Sequence, residues 1–198
     1  MADLLTAPLP AVWQGRRIDP DFRHMVQLSS AYAHGELDGD HPETALVLMA
    51  QFYREPVPQE QSVAAYSSMI DFYRAGEQAL SGSDDCQSSS SDSPAFDYRC
   101  DAPYIVAAFQ QAYGIDLTCE KVHWFRFRAL FAALPEDTLM AKIMSWRTMD
   151  LSEYDGSMRA HYADLQERFA LPPELRGGAA RVVSVEEHDA AFLARFRH

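Results

Sequence analysis

The chain has 198 residues, of which 47% are hydrophobic and 12% aromatic, so its composition is that of a folded globular protein and excludes a largely disordered chain. Its 17 basic and 29 acidic residues leave a formal net charge of −12, which argues against direct binding of nucleic acid, because such binding depends on clustered Lys and Arg. Three cysteines without paired spacing do not form a disulfide framework and fit a reducing cytoplasm.

The acidic residues are concentrated in the first half of the chain. Residues 1–98 carry 5 basic and 15 acidic side chains, against 12 and 14 in residues 99–198. Either a solubilising surface or an acidic docking face for a basic partner explains this imbalance. The first residues lack a basic leader, and no apolar stretch approaches the roughly 20 residues of a bilayer crossing, so we expect neither a signal peptide nor a membrane span.

The N-terminal third predicts a hairpin followed by three helices. Residues 9–18 (LPAVWQGRRI) predict a short β-hairpin that turns at Gln14-Gly15. Pro20 and Asp21 are typical of a helix start, and this helix should end near Gly35. A second helix is predicted before the prolines at 56 and 58, and a third from about 59 to Gly76, with Gly76 or Ser81-Gly82 as its terminator. The apolar stripe of the second helix is predicted as Leu46, Met49, Ala50 and Tyr53.

A serine-rich segment divides the chain. Residues 81–93 read SGSDDCQSSSSDS and contain no aliphatic or aromatic side chain that could offset the entropy of ordering. We therefore predict a hairpin and three-helix part in residues 1–80, a flexible linker in 81–95, a second helical part in 96–171 and a tail with a short helix in 172–198. An excursion from one continuous domain explains the serine-rich segment equally well.

Four further helices are predicted in the second part. Asp101 and Pro103 are typical of a helix start, and a second helix is predicted from residues 116–118 through the aromatic stretch that ends before Pro135. Helices around 139–146 and 154–169 follow; the second of these carries a stripe of Tyr154, Met158, Tyr162, Leu165 and Phe169. The whole pattern predicts an all-α fold, a bundle of about six to eight helices with a short N-terminal β-hairpin.

Candidate chemistry is sparse. Cys119 and His123 stand four residues apart on a predicted helix, which is the spacing of a shared metal or of a nucleophile and its base. A structural zinc site needs four ligands, and no further ligands stand at recognisable spacing, so a buried cysteine and a hydrogen-bonded histidine explain the pair better. Neither phosphate-binding glycine motif occurs. We expect no catalytic residue, no cofactor, no metal site and no enzymatic activity.

Residues 123–128 (HWFRFR) carry more aromatic and basic side chains than one helix face can bury. Either this helix is central and surrounded by neighbours, or part of it is a partner-binding surface with arginines at its rim. On the second interpretation the contact residues are Trp124, Arg128, Trp146 and Arg147. On the first, the arginines pair with nearby acids at 116, 120 and 150.

Several stretches together resemble one family. Residues 96–117 (FDYRCDAPYIVAAFQQAYGIDL) and 122–151 (VHWFRFRALFAALPEDTLMAKIMSWRTMDL) are similar to the signature region of the bacteriophage gene-product-fifteen family. Residues 9–23 (LPAVWQGRRIDPDFR) and the aromatic pairs at 52–53 and 72–73 resemble it too, so the likeness spans about residues 9–171. The serine-rich segment and the tail after Pro172 depart from the pattern and inherit no role.

The resemblance implies a helical phage protein that is encoded among tail genes near the tape-measure gene. It implies a tail assembly chaperone that binds the tape-measure protein, or other tail proteins, in the cytoplasm of the infected host, with no membrane partner. Whether the chain self-associates stays open. A minor structural tail or connector component of the virion is the alternative function, and an enzyme acting through Cys119 and His123 is the remote one.

Overall fold

Helices account for nearly all regular structure in this computed structural model, which describes residues 8–37, 42–78 and 94–176. In these ranges the chain forms one two-stranded antiparallel sheet and seven α-helices, so the predicted all-α class with an N-terminal hairpin is confirmed. The strands are β1 (Val12–Trp13) and β2 (Arg16–Arg17); the helices are α1 (Phe22–Ala33), α2 (Pro42–Phe52), α3 (Ser62–Gln78), α4 (Ala102–Tyr113), α5 (Trp124–Ala132), α6 (Leu139–Thr148) and α7 (Gly156–Arg168).

The hairpin turns through Gln14 and Gly15, as the sequence predicts. Their φ angles of 45° and 82° are both positive, the combination of a type I′ turn, whose twist matches that of the flanking strands. Trp13 lies opposite Arg16, and its ring meets Phe72 of α3 edge to face at a centroid distance of 5.4 Å. The hairpin is therefore anchored to α3 through one aromatic side chain.

Two chain segments bind each other where α1 and α5 begin. The Asp21 carboxylate caps α1 by accepting a hydrogen bond at 3.0 Å from the backbone N–H two residues later. Phe22 N–H donates to the Val122 carbonyl at 2.9 Å, and Trp124 N–H donates to the Pro20 carbonyl at 2.8 Å. These two bonds satisfy backbone donors that a helix start would otherwise leave free, and they hold the two helix starts side by side.

The buried face of α2 differs from the predicted stripe. The side chains that face the core are Ala45, Leu48, Met49 and Phe52. Leu46 is 45% exposed and Ala50 is also exposed, so the prediction is wrong for these two residues. The run ALVLMA is apolar around the whole helix, and its periodicity therefore does not select a face.

Helix α3 continues through Gly76 to Gln78, so Gly76 does not end the helix. The alternative terminator, Ser81-Gly82, lies outside the described residues. A short 3₁₀ turn at residues 59–61 precedes it. Gly76 is buried inside the helix, where it has a packing role described below.

The described residues form two units that interleave along the chain. Unit 1 comprises residues 8–37, 42–78 and 120–133, which hold the hairpin, α1, α2, α3 and α5. Unit 2 comprises residues 94–119 and 134–176, which hold α4, α6 and α7. The predicted division into residues 1–80 and 96–171 places α5 with the C-terminal helices, whereas the structure places it in unit 1. The reason is that the aromatic side chains of α5 pack against α1 and α3.

Two of the three predicted signals for α4 act as expected, and α6 has a cap that was not predicted. Pro103 lies in the first turn of α4, and Gly114 ends the helix in the left-handed conformation with φ of 66°. Thr138 caps α6 through its hydroxyl, which accepts a hydrogen bond from the Ala141 N–H at 3.3 Å. Asp101 stands at the cap position of α4, but its side chain makes no cap bond and takes part in an ion pair instead.

The predicted stripe on α7 is only half-buried. No described residue of this helix is buried, and Met158 is 49% exposed. The serine-rich segment 81–93, Cys86 and the predicted helix of the tail lie outside the described residues. Within the described ranges, no helix combines the length and the apolarity that crossing a bilayer requires.

Candidate functional site

The aromatic side chains of α5 are core residues of unit 1. Trp124 and Phe125 are 0% exposed and Phe127 is 1% exposed. The Trp124 indole N–H donates to the carbonyl of Tyr73 at 3.1 Å, which satisfies the polar atom of a fully buried ring. The structure therefore makes α5 a central helix in which the Trp124 side chain is buried, so a contact between Trp124 and a partner stays a prediction.

The rings of α5 interlock with those of the neighbouring helices. Phe125 stacks on Phe72 of α3 with centroids 4.9 Å apart, and Phe127 stacks on Phe22 of α1 at 4.5 Å. Such pairs add about 0.5–1.5 kcal/mol each beyond their buried area. This aromatic core holds the hairpin, α1, α3 and α5 in one unit.

Gly76 permits the close approach of α3 and α5. A Cβ at this position would lie 2.5 Å from Cδ1 of Trp124, closer than real Cβ contacts come, and 3.0 Å from Cδ1 of Phe125, which is tighter than most. Sequence reasoning missed this role, because a glycine near a helix end resembles a terminator. A glycine in the same helix as large buried aromatics is the one signal that would indicate it.

Arg128 and Arg126 lie on the outer side of α5. The guanidinium carbon of Arg128 is 5.6 Å from the centroid of the Trp124 ring, within cation–π distance. Arg128 is half-buried and Arg126 is exposed. Arg128 thus covers an edge of the buried tryptophan, and part of its side chain remains accessible to solvent.

Arg147 and Asp101 form a buried ion pair in unit 2. Their side chains are 7% and 1% exposed, and two guanidinium nitrogens bind the two carboxylate oxygens at 2.6 Å and 2.8 Å. The same guanidinium donates to the carbonyl of Phe169 at 2.7 Å and to that of Ala95 at 3.2 Å. Arg147 therefore joins four chain segments of unit 2 and is not a rim residue; a buried charge requires such partners.

The acid that pairs with Arg147 was not among those predicted. Sequence proximity suggests Asp150 as the partner. In the structure the partner of Arg147 is Asp101, the residue directly before α4. The Asp150 carboxylate accepts hydrogen bonds from Ser152, which lower the pKa of Asp150. Trp146 is half-buried against Phe169 at a centroid distance of 5.3 Å.

The four predicted contact residues thus belong to two different units. Trp124 and Arg128 lie in unit 1, whereas Trp146 and Arg147 lie in unit 2. Two of them, Trp124 and Arg147, have buried side chains with internal hydrogen-bond partners. Their described contacts are those of structural residues.

Cys119 and His123 do not share a helix, so the predicted helix from residue 116 is wrong. Residues 117–119 form a turn in which the Asp116 carboxylate accepts from both the N–H and the hydroxyl of Thr118, at 2.8 Å and 2.5 Å. These bonds lower the pKa of Asp116. Helix α5 begins only at Trp124, because His123 is its cap.

His123 serves as a neutral capping group. Its Nδ1 accepts a hydrogen bond from the Phe125 N–H at 3.1 Å, so the proton lies on Nε2, which donates to the Pro10 carbonyl at 3.1 Å. Burial of the ring lowers the pKa of His123, although the Pro10 carbonyl opposes this shift. A proton on Nδ1 would remove this cap. His123 therefore has a structural role as the cap of α5.

Both described cysteines are at the surface. Cys119 and Cys100 are exposed, so the expectation of a buried Cys119 is wrong. Desolvation, reinforced by a hydrogen bond to Asp97 and by its charge, raises the pKa of Cys100 and so disfavours the nucleophilic thiolate. Among residues 8–37, 42–78 and 94–176, no three His, Cys, Asp or Glu side chains group together in a way that could hold a metal ion.

Unit 2 contains an open cavity of about 340 Å³ beside Arg147. Its charged lining side chains are Arg147, Glu167 and Arg176. Arg147 is engaged with Asp101, and Arg176 donates to the Leu171 carbonyl. Neither a cysteine nor a histidine lines this cavity, so its described residues offer no nucleophile and base pair.

Unit 1 carries an exposed apolar surface next to a groove. We define the α2 face as Leu46, Val47 and Ala50, of which Leu46 is 45% and Val47 is 54% exposed. The adjoining groove has a volume of about 470 Å³, and its lining includes Tyr53, Pro56 and Val57 together with the charged Arg54 and Glu55. Large side chains exposed at consecutive positions on one helix are a candidate contact surface. The sequence feature that indicates this face is the run ALVLMA, which is apolar around the whole of α2, whereas the predicted stripe covers one side only.

Comparison with known proteins identifies one family. The family model described as "Bacteriophage Gp15 protein" matches residues 11–171, which is most of the chain and nearly the range over which the sequence motifs resemble that family. No curated protein and no solved structure matches the chain. The matched range contains all seven described helices and the hairpin. The chain therefore belongs to the bacteriophage Gp15 protein family.

Proposed function

We propose that the protein is a phage tail assembly chaperone that binds the tape-measure protein in the host cytoplasm before the tail tube polymerises around it. Its membership of a phage protein family supports a role in phage biology. The observation that carries the binding role is the α2 face, where Leu46 and Val47 are 45% and 54% exposed. A long client with apolar helical stripes is a partner for such a face, because both surfaces gain by leaving water.

We infer that the activity is binding and not turnover. The aromatic side chains of α5 pack in the core of unit 1, and the polar groups of Trp124 and His123 form internal hydrogen bonds. Arg147 and Asp101 satisfy each other in unit 2. The described side chains that remain exposed and apolar are the ones suited to a protein contact, and Leu46 and Val47 are next to each other.

Co-expression tests this proposal directly. We expect the full-length protein to co-purify with the tape-measure protein encoded by the same phage and to increase the soluble fraction of that client. The major tail protein from the same phage serves as a control client of similar origin. If the tape-measure protein neither co-purifies nor gains solubility, the chaperone role is refuted.

The same family membership is compatible with a minor structural component of the tail or connector. Mass spectrometry of purified virions distinguishes the two functions. A chaperone should be absent from the finished particle while present in lysates of infected cells, whereas a structural component should be present at a fixed ratio to the major tail protein.

A further inference from the structure

We propose that the α2 face and its groove bind an amphipathic α-helix of the client whose apolar stripe is flanked by lysine or arginine. This inference rests on the proposed function and assigns it to one surface. The juxtaposition that carries it is an exposed apolar face on α2, a mainly apolar groove beside it, and the exposed carboxylates of Glu55, in the groove lining, and Glu60.

Helix α2 is apolar on both sides. Its inner side places Leu48 and Phe52 in the core, at 6% and 0% exposure. Its outer side presents Leu46, Val47 and Ala50, which recur at the three- and four-residue spacing of one helical face. A helix with this pattern is normally covered on both sides. The outer side therefore has the composition of an interface.

The groove continues this apolar surface past the end of α2. Pro56 and Val57 line it together with Tyr53. The Tyr53 hydroxyl donates to the Ala65 carbonyl at 2.7 Å in the interior, so the ring is held in place and its remaining surface forms a fixed wall. A rigid wall lowers the entropy cost of binding, because little has to be ordered when the partner arrives.

A helix fits this surface better than an added strand. Strand addition needs free backbone groups along a sheet edge. Here the backbone around Tyr53 is already paired: Asp19 N–H donates to the Phe52 carbonyl at 2.7 Å, and Arg54 N–H donates to the Arg17 carbonyl at 3.1 Å. The backbone at residues 52–54 is thus occupied, and the helical α2 face presents side chains, which is the recognition mode of a helix with apolar anchors at three- and four-residue spacing.

The charges near the groove favour a basic partner. Arg54 and Glu55 both line the groove, and the guanidinium carbon of Arg16 lies 5.9 Å from the centroid of the Tyr53 ring. Arg54 forms an ion pair with Asp19 at 2.8 Å, and Arg16 donates to the side chain of Gln61. The exposed carboxylates of Glu55 and Glu60 lie beside these residues along the chain. Lysines or arginines beside the client's apolar stripe would meet these carboxylates.

The same charges disfavour a second copy of this chain as the occupant. A twofold interface places the same patch on both sides, so the carboxylates of Glu55 and Glu60 would be enclosed in one interface with the same two carboxylates of the other copy. Like charges placed opposite each other across an interface cost free energy. The chemistry of the surface therefore selects a partner of opposite charge.

Binding of variants tests the assignment. The full-length double variant L46Q/V47Q removes the apolar side chains without adding charge, and L139Q/M158Q is its matched control, because Leu139 and Met158 are 43% and 49% exposed in unit 2. We expect L46Q/V47Q to weaken binding of the tape-measure protein by about tenfold or more, since anchor side chains dominate such contacts, and the control to bind as wild type does. Circular dichroism and thermal unfolding establish that both variants are folded.

A second variant tests the charge argument. We expect E55K/E60K to weaken binding and E153K/E167K, which changes two exposed carboxylates of unit 2, to leave it unchanged. Binding of E55K/E60K should also depend less steeply on salt, because fewer opposite charges meet. Equal binding by all charge variants would overturn the requirement for a basic partner.

A photo-crosslinking residue at position 47 of the full-length chain identifies the occupant by mass spectrometry. Cross-links to an apolar, basic-flanked helix of the tape-measure protein support the proposal. Cross-links confined to this chain, or to a second copy of it, overturn it. If wild type binds the client and L46Q/V47Q binds it equally well, this surface assignment fails while the chaperone function stands; if wild type does not bind the client, both fail.

Discussion

Replacing Gly76 by alanine sets two physical effects against each other. In an exposed helix, alanine is favoured over glycine by about 1 kcal/mol, so helix propensity alone predicts stabilisation. In this structure the added Cβ would lie 2.5 Å from Cδ1 of Trp124, and overpacking of a rigid core costs about 1–3 kcal/mol. The obstacle is the ring of a fully buried side chain and not the end of a flexible one.

We therefore expect Gly76→Ala to lower the free energy of unfolding by up to about 2 kcal/mol, because overpacking exceeds the gain in propensity. Equilibrium urea unfolding followed by circular dichroism and tryptophan fluorescence measures this change. Ala64→Gly on the exposed side of α3 is the propensity control and should also be destabilising.

A double-mutant cycle isolates the contact with Trp124. In a Trp124→Phe background the indole nitrogen, which lies nearest to the added Cβ, is absent, so Gly76→Ala should cost less than it does in wild type. Wild-type or higher stability of the Gly76→Ala protein would refute the close-contact argument. A cost that is unchanged in the Trp124→Phe background would refute the assignment to this ring.

Three further predictions concern named interactions. Arg147→Met leaves the Asp101 carboxylate buried without its cation and should lower the free energy of unfolding by about 3–5 kcal/mol, whereas R147M combined with D101L should restore part of the loss in urea titrations. Thr138→Ala removes the cap of α6 and should cost about 1 kcal/mol in the same assay, while Thr138→Ser, which keeps the hydroxyl, should cost less. Burial holds the pKa of both His123 and His24 below the ordinary 6.5, so below that pH the unfolded chain binds more protons than the folded protein does. The stability that is present above about pH 6.5 should therefore be lost as the pH falls through the lowered pKa values. His123→Asn keeps a capping acceptor, and a pH dependence of unfolding as steep as that of wild type would contradict this account.

Local signals in the sequence located most helix starts and ends. Pro103 and Gly114 mark the start and the end of α4 as predicted. A proline in the first turn and a left-handed glycine after the last turn both act through their own backbone geometry. The Gln14-Gly15 turn was equally predictable, since it depends on two residues that accept positive φ. Such signals need no distant partner.

Periodicity failed where a helix is apolar on more than one side. The run ALVLMA in α2 is compatible with several buried faces, and Leu46 was placed in the core although it is 45% exposed. The predicted helix through Cys119 failed for a related reason: residues 116–123 contain groups that form local side-chain bonds, and the Asp116 turn and the His123 cap compete with helical hydrogen bonds.

By itself, the sequence determined the all-α class, the hairpin and the family, because these depend on local propensity and on motif order along the chain. Only the tertiary structure decided that α5 belongs with the N-terminal helices, that Arg147 pairs with Asp101, and that Gly76 lies against the Trp124 ring. Each of these joins residues at least 46 positions apart, as the separation between Asp101 and Arg147 illustrates. At such separations a side chain has many compatible partners. The packing of all the helices together decides which partner it contacts, and periodicity along the chain does not specify that choice.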